Sequence, residues 1–371
     1  MKKHTVLQLG LGNRGMVHFR SWMSFPERFE VVGICDMYEP LLNKVGDEYG
    51  ISARFTNAEE ALAALRPEIF SFVTFPDVRI EMVRLAAKYG VKGLVFEKPM
   101  AFTLEEAKEI LQIVKENNMK AVICHQHKYL ESFQRVKAAI DSGELGTIYR
   151  ITGETASHFT LNGTHYMDYV LWANSNVPVV SVAGHVHGRR LLESDHPSAD
   201  YMMGEMVFAN GVRGNLQCGT MTRAHSEYEL DYDSPKFPHH FPEYLEDDRL
   251  TVYGSTGYAW AECNGRWAIF SAATEGKLVT GKGKDIFFSM DDAQVQYTKD
   301  FADWMDDENF YHPCNIDQAY TGYEAAEAII SSALEHRRID LPYEAPYPNN
   351  VERMKELLPE SPIRFYPVVG D

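Results

Sequence analysis

The apolar stretch Val6-Leu7-Gln8-Leu9 runs straight into Gly10-Leu11-Gly12-Asn13-Arg14-Gly15, and Asp36 closes the next apolar run. A bare G-x-G-x-x-G spacing constrains little, because loops tolerate glycine. Here a short strand precedes the glycines, a helix-compatible segment (Arg14 to Ser24) follows, and Phe29 to Cys35 reads as a second strand. Gly10 permits the tight turn, Gly12 lets the backbone approach a pyrophosphate, and Gly15 allows close helix–strand contact. The phosphates then sit at a helix N-terminus opened by Asn13 and Arg14, where unpaired N–H groups and the helix dipole favour anions. Asp36 lies about 20 residues past the motif, where a carboxylate accepts from both ribose hydroxyls. Met37 follows it, not an arginine that could hold a 2′-phosphate, so NAD is expected over NADP. The competing reading is a glycine-rich turn in a flavodoxin-like domain that binds no dinucleotide.

At 371 residues the chain has core enough for two domains, expected here at 1–124 and 125–371. No apolar run approaches the roughly 20 residues that span a bilayer. The only apolar stretch at the N-terminus is short and interrupted by Gln8, which does not make a signal peptide. The five cysteines are scattered without a C-x-x-C, which together with the missing signal points to reduced thiols and a cytoplasmic home. A net charge of −17 repels nucleic acid and anionic membranes, so neither is an expected partner.

The N-terminal portion alternates strand and helix. Ile69 to Val73, Gly93 to Phe96 and Lys120 to Ile123 are short runs fit for buried parallel strands. Asp77 to Tyr89 has helical spacing, Asn57 caps a helix running to Leu65, and Thr103-Leu104-Glu105-Glu106 is a capping box opening a helix to about Asn118. This βαβ succession makes a doubly wound sheet. After Cys124 the texture changes. Ser132 to Asp141 is a helix, followed by strand-like runs at Thr147–Thr155, Val177–Val186, Glu205–Phe208, Val212–Gly219 and Leu250–Tyr253, with turns such as Ala209-Asn210-Gly211-Val212. They predict an α+β domain with a large open, mainly antiparallel sheet and helices on one face. Met221 to Asp248 reads as a long acidic loop, and Tyr320 to His336 as a helix.

Glu97-Lys98-Pro99 follows directly on the strand Gly93 to Phe96. In open α/β sheets ligands bind beyond the carboxyl ends of the strands. Lys98 there can polarise a substrate hydroxyl or stabilise an alkoxide, although position alone suits a surface lysine equally well.

These residues, together with Thr74-Phe75-Pro76, Asp141-Ser142-Gly143-Glu144-Leu145-Gly146, Gly163-Thr164-His165-Tyr166-Met167-Asp168, Val252-Tyr253-Gly254-Ser255-Thr256-Gly257 and Arg338-Ile339-Asp340-Leu341-Pro342, resemble the Gfo/Idh/MocA oxidoreductases in the right order over nearly the whole chain. The resemblance implies a Rossmann domain and an open-sheet domain whose free face makes homo-oligomers. It also implies an NAD(P)-dependent redox step on a sugar, cyclitol or related polyol. Lys98 would be the catalytic lysine and His165 the general base, with Thr74, Pro76 and Glu97 joining the cofactor-binding set.

Asn162 or Thr164 can cap a helix running to Trp172, placing His165 in its first turn, where the positive helix end disfavours imidazolium. Asp168, Tyr169 and Trp172 share its face; a structural histidine beside Trp172 is the equal alternative. Members of the family it resembles often carry an aspartate four residues before the histidine, where this chain has Leu161. Leucine carries no proton, so Asn162 is expected to orient substrate, and Lys98 with His165 to carry the proton transfer. Lys128, Tyr129 and Asp168 are further candidates for substrate contact, against a plain connector for the first two. His185 and His187, and His239 and His240, bring no third ligand at a metal-binding spacing, so no metal is expected. The expected function is NAD-dependent oxidation or reduction of a ring hydroxyl or keto carbon. The alternative is a glycoside-cleaving lyase or glycosidase that recycles tightly held NAD through a transient keto-sugar.

Overall fold

The computed structural model describes residues 3–194, 196–219, 222, 248–284, 286–346 and 349–360. The expected loop from Met221 to Asp248 lies outside them, apart from Thr222 and Asp248. The chain forms two compact units, residues 1–129 with 288–320, and 130–287 with 321–371. The division thus falls after Tyr129, five residues beyond the expected boundary at 124. A later segment also returns to the first unit, which local periodicity does not encode because its partners lie far off in sequence.

The first unit alternates β1 (His4–Leu9), α1 (Asn13–Met23), β2 (Phe29–Cys35), α2 (Glu39–Tyr49), β3 (Arg54–Phe55), α3 (Ala58–Leu65), β4 (Ile69–Phe72), α4 (Arg79–Tyr89), β5 (Gly93–Phe96), α5 (Leu104–Glu116) and β6 (Lys120–Ile123). The strands pair in parallel in the order β3-β2-β1-β4-β5-β6. β4 and β5 are buried at every residue, as expected of parallel strands covered on both faces. The returning helix α8 (Ile286–Asp306) packs Tyr297, Phe301 and Trp304 against Val6, Trp22, Phe29, Ile69, Val95 and Val122. Burying each such side chain contributes about 1.5–3 kcal/mol. Polar ties fix its register: Arg28 donates to Asp303 (3.0 Å) and Asp306 (2.9 Å), and Ser21 and Thr298 share a 2.8 Å bond.

The second unit contains α6 (Glu131–Asp141), β7 (Ile148–Thr155), α7 (Thr164–Ala173), β8 (Val179–His187), β9 (Tyr201–Phe208), β10 (Arg213–Gly219), β11 (Asp248–Gly254), β12 (Gly257–Ala261), β13 (Arg266–Phe270), β14 (Leu278–Lys282), most of α9 (Ile316–Glu335), β15 (Ile339–Asp340) and α10 (Asn350–Leu357). Among the described residues its nine strands form one sheet, ordered β14-β13-β12-β11-β7-β10-β9-β8-β15. Only β7 and β10 pair in parallel; the other pairs are antiparallel. β9 shows the one-sided burial of an open sheet: Met202, Gly204, Met206 and Phe208 are buried, and Tyr201, Met203, Glu205 and Val207 point to the freer face. The expected turn at 209–212 joins β9 to β10, with Gly211 at φ +86°.

Candidate active site

In the first unit the ends of β1, β4 and β5 bring the expected nucleotide-binding residues together. Gly10 has φ +82°, and a Cβ there would lie 2.4 Å from the Val73 carbonyl oxygen. A Cβ on Gly15 would lie 2.1 Å from the Gly10 oxygen, so helix α1 can start this close to the loop only with glycine at that position. Gly12 differs: a Cβ there would meet nothing within 4 Å. It is the N-cap of α1 and supplies no side-chain cap, so the first N–H groups of the helix lack that partner. Asp36 accepts from the backbone N–H of Leu11 (2.7 Å) and of Tyr38 (2.8 Å), which fixes its carboxylate against the glycine loop. Thr74 and Pro76 follow β4; the Thr74 hydroxyl is buried without a partner among the described residues. An uncapped helix start, a pinned carboxylate and an unused hydroxyl fit a dinucleotide.

Glu97 and Lys98 follow β5, above a buried polar network. Oε1 of Glu97 accepts from Arg14 Nε (2.5 Å) and lies 3.0 Å from His18 Nε2. Arg14 Nη2 also donates to Gln294 Oε1 of α8 (2.8 Å) and to the Cys124 sulfur (3.0 Å). Arg14, expected to bind the cofactor, thus spends most of its guanidinium on Glu97, Cys124 and Gln294. Burial would raise the Glu97 carboxyl, but Arg14, His18 and Lys98 hold it well below the usual range. Lys98 is half-buried; desolvation, with Arg14 and Arg79 adding to it, pulls its ammonium down to about 8 against the attraction of Glu97. Arg79 of α4 donates to the carbonyls of Thr74 (2.8 Å) and Lys98 (3.2 Å), tying the β4 and β5 loops together. Burial and then Arg14 and Lys98 push His127 down to about 3, so it is neutral.

His18, Glu97 and Cys124 offer ligand atoms within 4.8 Å of one another. The Arg14 guanidinium already donates to two of them, so a cation entering there would meet a fixed positive charge. Lys128 and Tyr129 follow β6 in this unit. The Lys128 ammonium is fully buried and donates to the Pro313 carbonyl (2.6 Å), while Tyr129 donates to Asp300 (2.7 Å). Both brace the returning segment.

In the second unit a π-helical turn, Phe159–Gly163, leads into α7. The N-cap of α7 is Gly163, without a side-chain cap, which corrects the expectation of Asn162 or Thr164. His165 consequently stands a full turn inside a continuous helical segment, where the positive end of the helix has less hold on it. Its Nδ1 lies 3.0 Å from the Tyr169 hydroxyl, one turn on, and both it and Asp168 are buried. The Asn162 amide N–H donates to Thr155 Oγ1 (3.4 Å) and Asp248 Oδ2 (3.3 Å). Asp248, at the start of β11, also accepts from the Cys263 N–H (2.9 Å). Burial raises its carboxyl from 3.8 to about 7, with the neighbouring Glu262 adding to the rise.

Sequence reasoning missed His18, Gln294, Arg79 and Asp248. His18 sits four residues after Arg14 on one face of α1, a spacing that could have drawn it in. The other three carry no local signal.

Residues 5–125 match the family model GFO_IDH_MocA, described as an oxidoreductase family with an NAD-binding Rossmann fold. Inositol 2-dehydrogenase of Rhizobium meliloti is 25% identical over 144 residues, 39% of this chain and 42% of that one. The scyllo-inositol 2-dehydrogenase (NAD(+)) of Bacillus subtilis is 27% identical over 229 residues, 56% of this chain and 65% of that one. The chain thus spans less than two thirds of either relative's length. In fold, it is similar to a levoglucosan dehydrogenase solved with NADH: TM-score 0.76 at 15% identity, covering 92% of this chain and all of the other. The glycine loop, Asp36 and Glu97-Lys98-Pro99 all lie inside the matched segment, so residues 5–125 are similar to the NAD-binding Rossmann domain of that oxidoreductase family.

Proposed function

We propose that this protein oxidises a ring hydroxyl of a sugar, glycoside or cyclitol, or reduces the corresponding ketone, with NAD as hydride partner. The observation that carries the reading is Lys98, placed at the carboxyl end of β5 beside an ionised Glu97, with an ammonium pulled down to about 8. The backbone at Gly10, Gly12, Asn13 and Gly15 holds the pyrophosphate, Asp36 the adenosine ribose, and Thr74 and Pro76 line the path between the β1 and β4 ends. Bound there, NAD supplies the hydride acceptor or donor. Lys98 donates to the substrate oxygen and stabilises negative charge as it develops. His165 removes the hydroxyl proton: in the tautomer whose Nδ1–H donates to the Tyr169 hydroxyl, the lone pair that takes it is on Nε2. Asn162 and Asp168 are assigned to the ring hydroxyls. The related inositol dehydrogenases support the substrate class.

The test is a panel of sugars, glucosides and inositols followed through the reduced-nicotinamide absorbance. Lys98→Ala lowers kcat by about two orders of magnitude or more, as loss of a positioned acid–base group does. A Lys98→Ala enzyme as fast as the parent would overturn the assignment. Asp36 repels a 2′-phosphate, and Met37 supplies no compensating charge, so NAD binds about ten- to a hundredfold more tightly than NADP. Asp36→Ser with Met37→Arg narrows that ratio, read by calorimetry.

The glycoside-cleaving alternative leans on the 221–248 segment, of which the structure describes two residues. Copurified NAD and glycoside turnover without net NADH would favour it. No helix among the described residues is long and apolar enough to cross a membrane. The five cysteines, all free, and the charge of −17 suit a reducing compartment and a partner set without nucleic acid; we place the protein in the cytoplasm. We assign the freer face of the nine-stranded sheet to a homo-oligomer contact.

A further inference from the structure

We propose that His18 and Gln294 are positioning residues for Lys98: they keep the Glu97 carboxylate turned into the network beneath it, so that Glu97 does not close an ion pair onto the Lys98 ammonium. The inference rests on the role given to Lys98 above.

The hydrogen-bond assignments follow one from another. Gln294 Oε1 takes two donors, Arg14 Nη2 at 2.8 Å and Cys124 Sγ at 3.3 Å, so it is the oxygen end of the amide. Gln294 Nε2 is then the donor toward His18 Nδ1, 3.5 Å away. An imidazole that accepts at Nδ1 carries its proton on Nε2. That N–H lies 3.0 Å from Glu97 Oε1, the same oxygen that Arg14 Nε holds at 2.5 Å. His18 is fully buried, and desolvation with Arg14 beside it keeps the ring neutral. The orientation of one amide on α8 thus fixes a tautomer on α1, and the tautomer makes His18 a donor to Glu97.

Among the described residues, the charged and titratable groups that act on Lys98 include Glu97 on its own turn, Arg14 on α1, Arg79 on α4, and Cys124 and His127 after β6. Glu97 is the strongest of those that favour the charged amine. While two donors hold its Oε1, the ammonium stays near neutrality in proton affinity and can hand a proton to a substrate oxygen. Released from the network, the carboxylate would pair with Lys98 and return it toward the ordinary lysine value of 10.5.

The readout is the proton affinity of Lys98 in the full-length protein, measured as the pH dependence of its acetylation by trace acetic anhydride, peptide by peptide, without substrate. In the parent the midpoint is near 8. His18→Leu raises it by about one pH unit, and Gln294→Met raises it by a smaller amount. His18→Gln, whose amide N–H can still donate to Glu97, restores the parent midpoint. Unchanged or lowered midpoints in variants with a parent-like circular dichroism spectrum would overturn the proposal; if His18→Leu does not fold, Gln294→Met and His18→Gln decide it. A shift in Gln294→Met absent from the labelling but present in thermal stability marks a brace and nothing more. Should Lys98→Ala keep full turnover while these midpoints move as stated, the catalytic reading fails and the electrostatic one stands.

Discussion

Two buried carboxyl groups, Glu97 in the first unit and Asp248 in the second, shift in opposite directions from similar burial. Desolvation is the leading influence on both and pushes both upward. Glu97 nonetheless stays ionised, because Arg14 lies on it and His18 donates to it. Asp248 meets an amide, a backbone N–H and a tyrosine hydroxyl, none of them cationic, with the Glu262 carboxyl nearby. Glu262 takes the arginines of that region for itself: Arg249 and Arg266 both bridge to it. Burial sets the stakes for a carboxyl group; the cation within reach decides its charge.

Arg14→Leu breaks the contrast at its root. It leaves Glu97 buried with only neutral donors and should destabilise the protein by about 3 kcal/mol, the lower end for a broken buried pair because Arg14 is partly exposed. The measurement is chemical denaturation at pH 7; a loss below about 1 kcal/mol would show that Glu97 had been neutral. Glu97→Gln has a smaller effect with a pH signature. The native carboxyl lies below its ordinary 4.5, so its stabilisation is present above that value and lost as pH falls through the native value. The variant, without a titrating group there, costs about 2 kcal/mol near neutrality, and its deficit shrinks in acid. Asp248→Asn is the smallest and has the opposite sign. A carboxyl raised to about 7 loses stability as pH rises from 3.8 to 7. The amide variant should match the parent near pH 4 and be more stable above pH 7 by on the order of 1 kcal/mol. A gain that appears in acid would show that Asp248 is ionised in the fold.

What the sequence disclosed was local. The Asn57 cap and the Thr103–Glu106 capping box are contacts between residues three apart and formed as expected. The glycine loop and Asp36 were readable because a strand, a tight turn and a helix start are written in one short stretch. Lys128 shows the limit. Its type suggested hydroxyl contacts; one partner that the structure gives it is a carbonyl 185 residues away, and nothing near position 128 announces that. Gln294 and His18 are 276 positions apart and look like any helix-surface glutamine and any helix histidine. The π-helical turn before His165 was hidden for another reason: π and α geometry differ by one residue per turn, and a single Asn-Gly-Thr does not choose between them.

The return of residues 288–320 to the first unit has a temporal side. Synthesis proceeds at about 5–20 residues per second, so the 158 residues from 130 to 287 take roughly eight to thirty seconds to emerge. Through that interval the newborn sheet lacks Tyr297, Phe301 and Trp304, and leaves Val6, Trp22, Ile69 and Val95 without the helix that covers them. An apolar face open for that long is a target for holding chaperones and for other nascent chains. The second unit is interrupted as well: it is completed only when residues 321–371 emerge, after the first has its returning helix.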